Sequence, residues 1–161
     1  MRKVRATGAL ELAPTPALEL WADPRRWPAF VEGFERIVEL DPRWPQPACE
    51  LIWESGPQGR GRVTERVVEH EAGRRLVTDV REEPLGGGEP RLRGRQALAL
   101  ARDSGPAAGS RIELGLDYEL LRSGGAPGPL TDLLFVRRAL RDALGRTLER
   151  FAAEAAREAA R

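Results

Sequence analysis

Few side chains in this sequence are of a type that could do acid-base chemistry or anchor a ligand in a protein interior. Among the 161 residues, His70 is the only histidine and Tyr118 the only tyrosine. A histidine can exchange a proton near neutral pH, and a buried tyrosine hydroxyl needs a hydrogen-bond partner. Arg66 and Arg137 could donate hydrogen bonds to a carboxylate, phosphate or carbonyl. If both arginines point inward, the interior favours an anionic or polyoxygenated ligand.

Structural roles compete with these chemical ones. Arg137 lies on the apolar stripe of a predicted helix, between Leu133 and Leu140, so it either pairs with an acidic residue of a sheet or faces a pocket. His70 is near the end of a predicted hairpin, where a surface position competes with a role as pocket acid or base. No second metal-binding residue type lies at the spacing from His70 that a metal site requires, so the sequence predicts no metal site.

The facing of Arg66 is ambiguous in the sequence. Arg66 shares one strand face with Val68 and His70. Val63 and Val67 lie on the other face, and a strand with that face buried fits the sequence nearly as well. A shift of one residue moves every side chain of a strand to the other face. Whether Arg66, Val68 and His70 reach the interior therefore stays open at this stage.

One long helix is the element that must position the rest. Leu130 to Arg161 reads as a single amphipathic helix whose apolar residues recur at steps of three and four. Such a helix needs a large partner surface. In the preceding segments apolar and polar residues alternate with period two, which predicts that the partner is a curved antiparallel sheet. A sheet wrapped on a helix can leave a cavity.

Alternating segments predict about seven strands, with two short helices after the first. Thr15-Pro16 reads as the cap and first turn of one helix through Ala22, and Asp23-Pro24 starts a second that stops at Trp27-Pro28. The fold class is thus α+β. The predicted strands are Lys3 to Leu12, Phe34 to Asp41, Ala48 to Ser55, Arg62 to Glu71, Arg74 to Glu82, Arg91 to Leu100 and Ile112 to Leu120.

Aromatic residues concentrate where the chain leaves the second short helix for the second strand. Trp27, Phe30 and Phe34 fall there, and Trp53 falls on the third strand. Aromatic side chains at such a corner either plug one end of a core or line the mouth of a cavity. Both interpretations stay open on the sequence.

Composition narrows the function classes. The length of the chain, residues 1–161, is suited to one domain. Its 26 basic and 25 acidic residues nearly cancel, so the net charge gives no positive electrostatic field that would favour nucleic acid. Cys49, the only cysteine, cannot form an internal disulfide, which indicates a reducing compartment. No apolar run approaches the roughly 18 residues of a membrane span. We expect a cytoplasmic monomer or homodimer without integral membrane association and without a cofactor.

Three stretches carry a resemblance to a known family. The run from Thr15-Pro16 to Phe30, the run from Gly61 to His70, and the late segment from Gly109 to Ile112 match its usual pattern. With the closing helix, the chain resembles the START-like, helix-grip superfamily, also called SRPBCC, which includes polyketide cyclase/dehydrase and lipid-transport proteins. The resemblance implies a largely apolar cavity between sheet and helix that holds a lipid, quinone or polyketide-like molecule.

The resemblance also implies where such a pocket would have its contacts. A pocket tyrosine, serine and arginine of the aromatic polyketide cyclases fall at Phe34, Val68 and His70, so none is retained. The resemblance therefore favours binding over catalysis. The expected ligand contacts are Trp27, Phe30, Phe34, Trp53, Arg66, Val68, His70, Tyr118, Leu133 and Arg137.

Two alternatives to a simple binding protein remain. One is a cyclase-like enzyme that uses Arg66, His70 and Tyr118 as a repositioned polar set. The other is a protein-interaction module, like the chaperone cofactors of the superfamily, whose cavity is filled with side chains. A structure with no cavity larger than a few waters would favour the interaction module, whereas turnover that depends on His70 would favour the enzyme.

Overall fold

The strands and helices follow the predicted order. The computed structural model describes residues 1–104, 109–121 and 130–161, and in the last range it describes side chains from residue 134 onward. The elements are β1 (Arg2–Leu10), α1 (Pro14–Ala22), a 3₁₀ helix (Pro24–Ala29), β2 (Phe34–Leu40), β3 (Glu50–Ser55), β4 (Arg62–Glu71), β5 (Arg75–Glu83), β6 (Leu92–Arg102), β7 (Ser110–Leu120) and α2 (Leu130–Ala159).

The strands form one antiparallel sheet of seven strands in the order β1-β7-β6-β5-β4-β3-β2. The first strand therefore pairs with the last, and α2 packs chiefly against β1. A side-chain carbon added at Gly8 of β1 would lie only 3.5 Å from Leu148 Cδ2 of α2, so strand and helix are in close contact. The predicted α+β helix-grip architecture is confirmed.

The two short helices are packed by their aromatic residues. Asp23 accepts a hydrogen bond from the Arg25 backbone N–H at 3.2 Å, as predicted for the cap of the 3₁₀ helix. The indole of Trp27 donates to the Trp21 carbonyl at 2.7 Å, which joins the 3₁₀ helix to α1. The predicted cap at Thr15 is wrong, because α1 begins at Pro14 and Ala13 precedes it without a side-chain hydrogen bond.

The C-terminal half of α2 is fixed to the core by one aromatic cluster. Phe151 is fully buried, and its ring centroid lies 5.2 Å from that of Trp21 and 4.9 Å from that of Phe30. Toward its other end, α2 exposes Leu134 and Phe135. The helix is therefore anchored at one end and free to leave space beneath the other.

An ion pair beside this cluster predicts a pH dependence of stability. Arg26 donates to Glu154 at 2.8 Å and Arg157 donates to the other carboxylate oxygen, also at 2.8 Å. These hydrogen bonds, first that of Arg26, lower the pKa of Glu154 below its usual value. A lowered pKa adds stability above the ordinary glutamate pKa and loses it as pH falls.

We therefore expect Glu154→Gln to be less stable than the wild type at neutral pH, with a deficit that shrinks on acidification. Denaturant unfolding at pH 7 and at about pH 3.5 measures both differences. Glu149→Gln, at an exposed position of the same helix, is the matched control and should change stability little at either pH. A deficit of equal size at both pH values would contradict the assignment.

None of the described helices has both the length and the apolar character needed to span a membrane.

Candidate functional site

A cavity of about 800 Å³ lies between the sheet and the part of α2 from Phe135 to Thr147. Leu114 and Leu116 of β7 line it from the sheet, while Val136, Leu140 and Leu144 line it from the helix. These residues alternate on the strand and recur every three or four positions on the helix, which turns both apolar faces toward each other. The cavity is thus apolar on two opposite walls.

Three aromatic residues from different elements form a third wall. The ring of Trp27 stands nearly perpendicular to that of Trp53, with centroids 6.4 Å apart. Phe34 lies 5.2 Å from Trp53 and 6.1 Å from Trp27. Trp27 meets the other two rings edge to face, whereas Phe34 and Trp53 are inclined at 31° to each other. Trp27 is 2% and Trp53 0% exposed, so the half-buried Phe34 is the most accessible ring of this wall.

The buried carboxyl of Glu65 provides a polar point in the cavity. Glu65 lies on β4 and is only 3% exposed, yet it contributes to the cavity lining. The Trp53 indole donates to its Oε2 atom at 2.8 Å, and the Thr78 hydroxyl donates to its Oε1 atom at 3.1 Å. Both carboxyl oxygens are thus held by residues of the neighbouring strands β3 and β5.

An ion pair lies beside this carboxyl. The guanidinium carbon of Arg60 lies 5.3 Å from the ring centroid of Trp53, and its Nε donates to the carboxylate of Glu82. Both charged groups line the cavity, as does Gln96 of β6. The cation over the Trp53 ring and its acidic partner give this end of the cavity a nearly balanced charge.

A short loop positions Arg60. Ser55 Oγ accepts from the Gly61 N–H at 2.9 Å and donates to the Gly56 carbonyl at 3.0 Å, which closes the turn between β3 and β4. Gly61 has φ +84°, and a side-chain carbon there would lie 2.2 Å from the Glu83 carbonyl oxygen, so only glycine fits. The loop is thus a hairpin connection between antiparallel strands.

Burial raises the pKa of Glu65 above the usual range of a glutamate. The negative charge of Glu82 acts in the same direction, whereas the hydrogen bonds from Trp53 and Thr78 and the charge of Arg60 oppose it. Desolvation is the largest of these effects because the carboxyl is excluded from water. Glu65 is therefore suited to hold or exchange a proton inside the cavity.

The structure brings together three of the residues predicted as apolar walls. Trp27, Phe34 and Trp53 all line the cavity. Phe30 is fully buried but lies behind this wall, packed against Trp21 and Phe151. The aromatic corner thus both plugs the core, through Phe30, and lines the cavity.

The structure decides the facing of β4 that the sequence left open, and the expected ligand contacts Arg66 and Val68 do not line the cavity. Both are exposed, whereas Val63, Glu65 and Val67 are buried on the inner face of β4. By hydropathy alone, Glu65 is unfavourable on a buried face. Trp53 and Thr78 form hydrogen bonds with its carboxyl, however, and remove most of the free-energy cost of burying it. The two valines two positions on either side of it were the sequence signal for the correct facing.

His70 is not in the main cavity. The pairing of β4 with β5 shifts register between Val67 and Glu69, so the alternation of side chains changes after this bulge. His70 is half-buried in a second groove of about 440 Å³, between α1 and the segment that follows β2, where Leu18 and Trp44 also lie.

Arg137 is exposed and does not line the cavity, so it is not the ligand contact that was expected there. Val136 and Leu140 face the cavity instead. One residue turns the side chain by about 100° around a helix, and the charged group stays in water. The predicted contact Leu133 lies outside the described side chains.

Tyr118 is fully buried but away from this site. It lies opposite Arg2 of β1 and Gly94 of β6 in the sheet, and its hydroxyl has no hydrogen-bond partner among the described residues. Tyr118 borders a separate small pocket with Met1 and Arg2. Arg66, His70 and Tyr118 therefore do not form one polar set.

Among the described residues, no group of three or more histidine, cysteine, aspartate or glutamate side chains is arranged to hold a metal ion.

Comparison with known proteins places the chain among proteins of one fold. The profile of the family described as polyketide cyclase / dehydrase and lipid transport matches residues 1–156. TTHA0849 from Thermus thermophilus is 16% identical with a TM-score of 0.67, over 98% of this chain and 99% of that one. A conserved protein from Geobacillus kaustophilus is 10% identical with a TM-score of 0.71, over 97% and 96%.

A third similar structure comes from a biosynthetic locus. DynU16, a protein of the dynemicin biosynthetic locus, is 16% identical with a TM-score of 0.61; the match covers 94% of this chain and 46% of DynU16. At such identities the likeness concerns the fold alone. A search of curated protein sequences gives no significant match.

Proposed function

Because the chain belongs to the family of polyketide cyclase / dehydrase and lipid-transport proteins, we propose that it binds a hydrophobic, ring-bearing small molecule, such as a quinone, a polyketide-like compound or a lipid with a ring, between the sheet and α2. The observation that supports this most directly is the cavity of about 800 Å³ with an aromatic wall. Small-molecule sites typically have volumes of about 300–1,000 Å³ and mostly apolar walls.

The shape of the walls favours a flat ligand. Trp27, Phe34 and Trp53 form the aromatic wall, and the side chains of Val136 and Leu140 add apolar surface from α2. Removing the apolar surface of a ring system from water is favourable by about 25 cal/mol per Å². The protein-interaction alternative is not favoured, since it requires a cavity filled with side chains. The cyclase alternative is not favoured either, because it requires Arg66, His70 and Tyr118 in one site and these residues lie apart.

We also propose that the protein is located in the cytoplasm. Cys49 is a buried free thiol, which fits a reducing compartment such as the cytoplasm.

Native mass spectrometry of the protein as purified, followed by release of any bound molecule, tests the proposed function. We expect either a co-purified hydrophobic compound or thermal stabilisation by members of a panel of naphthoquinones, polycyclic phenols and fatty acids. Arg66→Ala and Arg137→Ala should bind as the wild type does, because both side chains are exposed outside the cavity. A protein that is empty and gains no stability from any of these compounds would refute the proposal.

A further inference from the structure

We propose that Glu65, as a neutral carboxylic acid, donates a hydrogen bond to a carbonyl oxygen of the ligand, which makes the ligand a ring-bearing ketone, quinone or ester rather than a hydrocarbon. This inference rests on the proposed function, because it concerns the same cavity. Its basis is a carboxyl that is buried, contributes to the cavity lining and is held in place by two neighbouring strands.

The hydrogen bonds determine where the proton of Glu65 resides. The Trp53 indole can only donate, so the Oε2 atom that it contacts at 2.8 Å must accept. The neutral acid therefore carries its proton on Oε1, beside the Thr78 hydroxyl. That hydroxyl donates to Oε1 and need not receive the Glu65 proton. The O–H group on Oε1 is thus the one available to a molecule in the cavity.

The surrounding charges favour the neutral acid. The closest charged groups, Arg60 and Glu82, are bound to each other, so neither is free to compensate a Glu65 carboxylate fully. Desolvation of the carboxylate then dominates, in agreement with the raised pKa. At greater distance, three further charged residues line the cavity from the 3₁₀-β2 segment and from α2: Glu32, Glu35 and Arg146.

The same charges favour an uncharged ligand over an ionic one. A cationic group near Glu65 would meet the guanidinium of Arg60, which lies over Trp53. An anionic group would meet the carboxyl groups of Glu65 and Glu82, and the guanidinium of Arg60 is already occupied by Glu82. A neutral carbonyl oxygen accepts from Glu65 without either conflict.

Two probes of the same shape test this inference. Methyl naphthyl ketone has a carbonyl oxygen where isopropenylnaphthalene has a methylene group. Tryptophan fluorescence titration at several pH values between about 5 and 9 gives the ratio of their dissociation constants. We expect the wild type to prefer the ketone by about fivefold to tenfold at low pH. The preference should fall as pH rises through the pKa of Glu65, because the carboxylate cannot donate.

Glu65→Gln is the informative variant because its amide mimics the neutral acid. The amide oxygen can accept from Trp53 and the amide N–H groups can donate to Thr78 and to the ligand. We expect this variant to keep the preference for the ketone at every pH. Glu69→Gln, at an exposed position of the same strand and outside the cavity lining, is the matched control and should behave like the wild type.

The outcomes separate the two proposals. If both probes bind but the wild type never prefers the ketone, Glu65 does not recognise a carbonyl, while the binding function stands. If Glu65→Gln retains the pH dependence of the wild type, another group donates, and the inference is refuted. If neither probe binds and no panel compound does, both proposals fail.

Discussion

Phe151→Ala should destabilise the fold by about 3–5 kcal/mol, the range measured when a buried phenylalanine is truncated in a well-packed core. Phe151 is fully buried between the rings of Trp21 and Phe30, with centroid distances of 5.2 and 4.9 Å. These contacts attach α2 to α1 and to the 3₁₀ helix. Neither neighbour can collapse into the space, because Trp21 and Phe30 also pack against each other.

Urea unfolding followed by tryptophan fluorescence measures this loss, and the melting temperature should fall by roughly 10 °C or more. Phe135→Ala removes the same ring from an exposed position of the same helix, where the side chain is 73% exposed. That control should change stability by no more than about 0.5 kcal/mol. A loss below about 1 kcal/mol for Phe151→Ala would mean that the aromatic cluster does not anchor α2.

Ala143→Trp should weaken ligand binding by at least about 100-fold while the protein stays folded. Ala143 lies on α2 and lines the cavity, midway between Leu140 and Thr147. An indole at this position extends toward the aromatic wall and occupies the space that we assign to the ring system of the ligand. The cavity of about 800 Å³ can accept it without displacing the core, which is packed at the other end of the helix.

Titration with whichever panel compound binds the wild type measures the effect. Ala153→Trp introduces the same side chain at an exposed position of α2, away from the cavity lining, and should leave the affinity unchanged. Circular dichroism of both variants checks that the fold is retained. Binding of normal strength by Ala143→Trp would place the ligand outside this cavity and refute the proposed function.

The arrangement of the cavity explains how one small domain could combine weak general attraction with selectivity. In the proposed function, apolar walls from β7 and α2 would attract a flat hydrophobic molecule. Selection among such molecules would depend on Glu65 and on its partners Trp53 and Thr78, since a buried donor left without an acceptor costs free energy. On this proposal the sheet supplies the selectivity, and the helix contributes mainly volume.

Most of the fold could be predicted from the sequence because one face of each major element is buried. The alternation of Ile112, Leu114 and Leu116 on β7 leaves a single facing that buries all three, and the structure buries them. The apolar stripe of α2 likewise predicts a helix from Leu130, and the observed helix begins there. Strand bounds differ from the predicted ones by no more than two residues.

The polar part of the site could not be predicted in this way. On β4 the sequence favours neither face, and the choice depends on whether Glu65 can be buried. Its partners Trp53 and Thr78 come from two other strands, at sequence separations of 12 and 13 residues. They meet the carboxyl only when β3, β4 and β5 pair, so a local pattern does not contain this information.

The sequence by itself thus determined the order of the elements and the helix-grip architecture, because periodic burial of apolar side chains is a local property. Tertiary structure alone decided that Glu65 faces the cavity and that Arg66 and Arg137 do not. The cost of burying a charged or polar group depends on partners supplied by distant segments, and those partners exist only in the folded sheet.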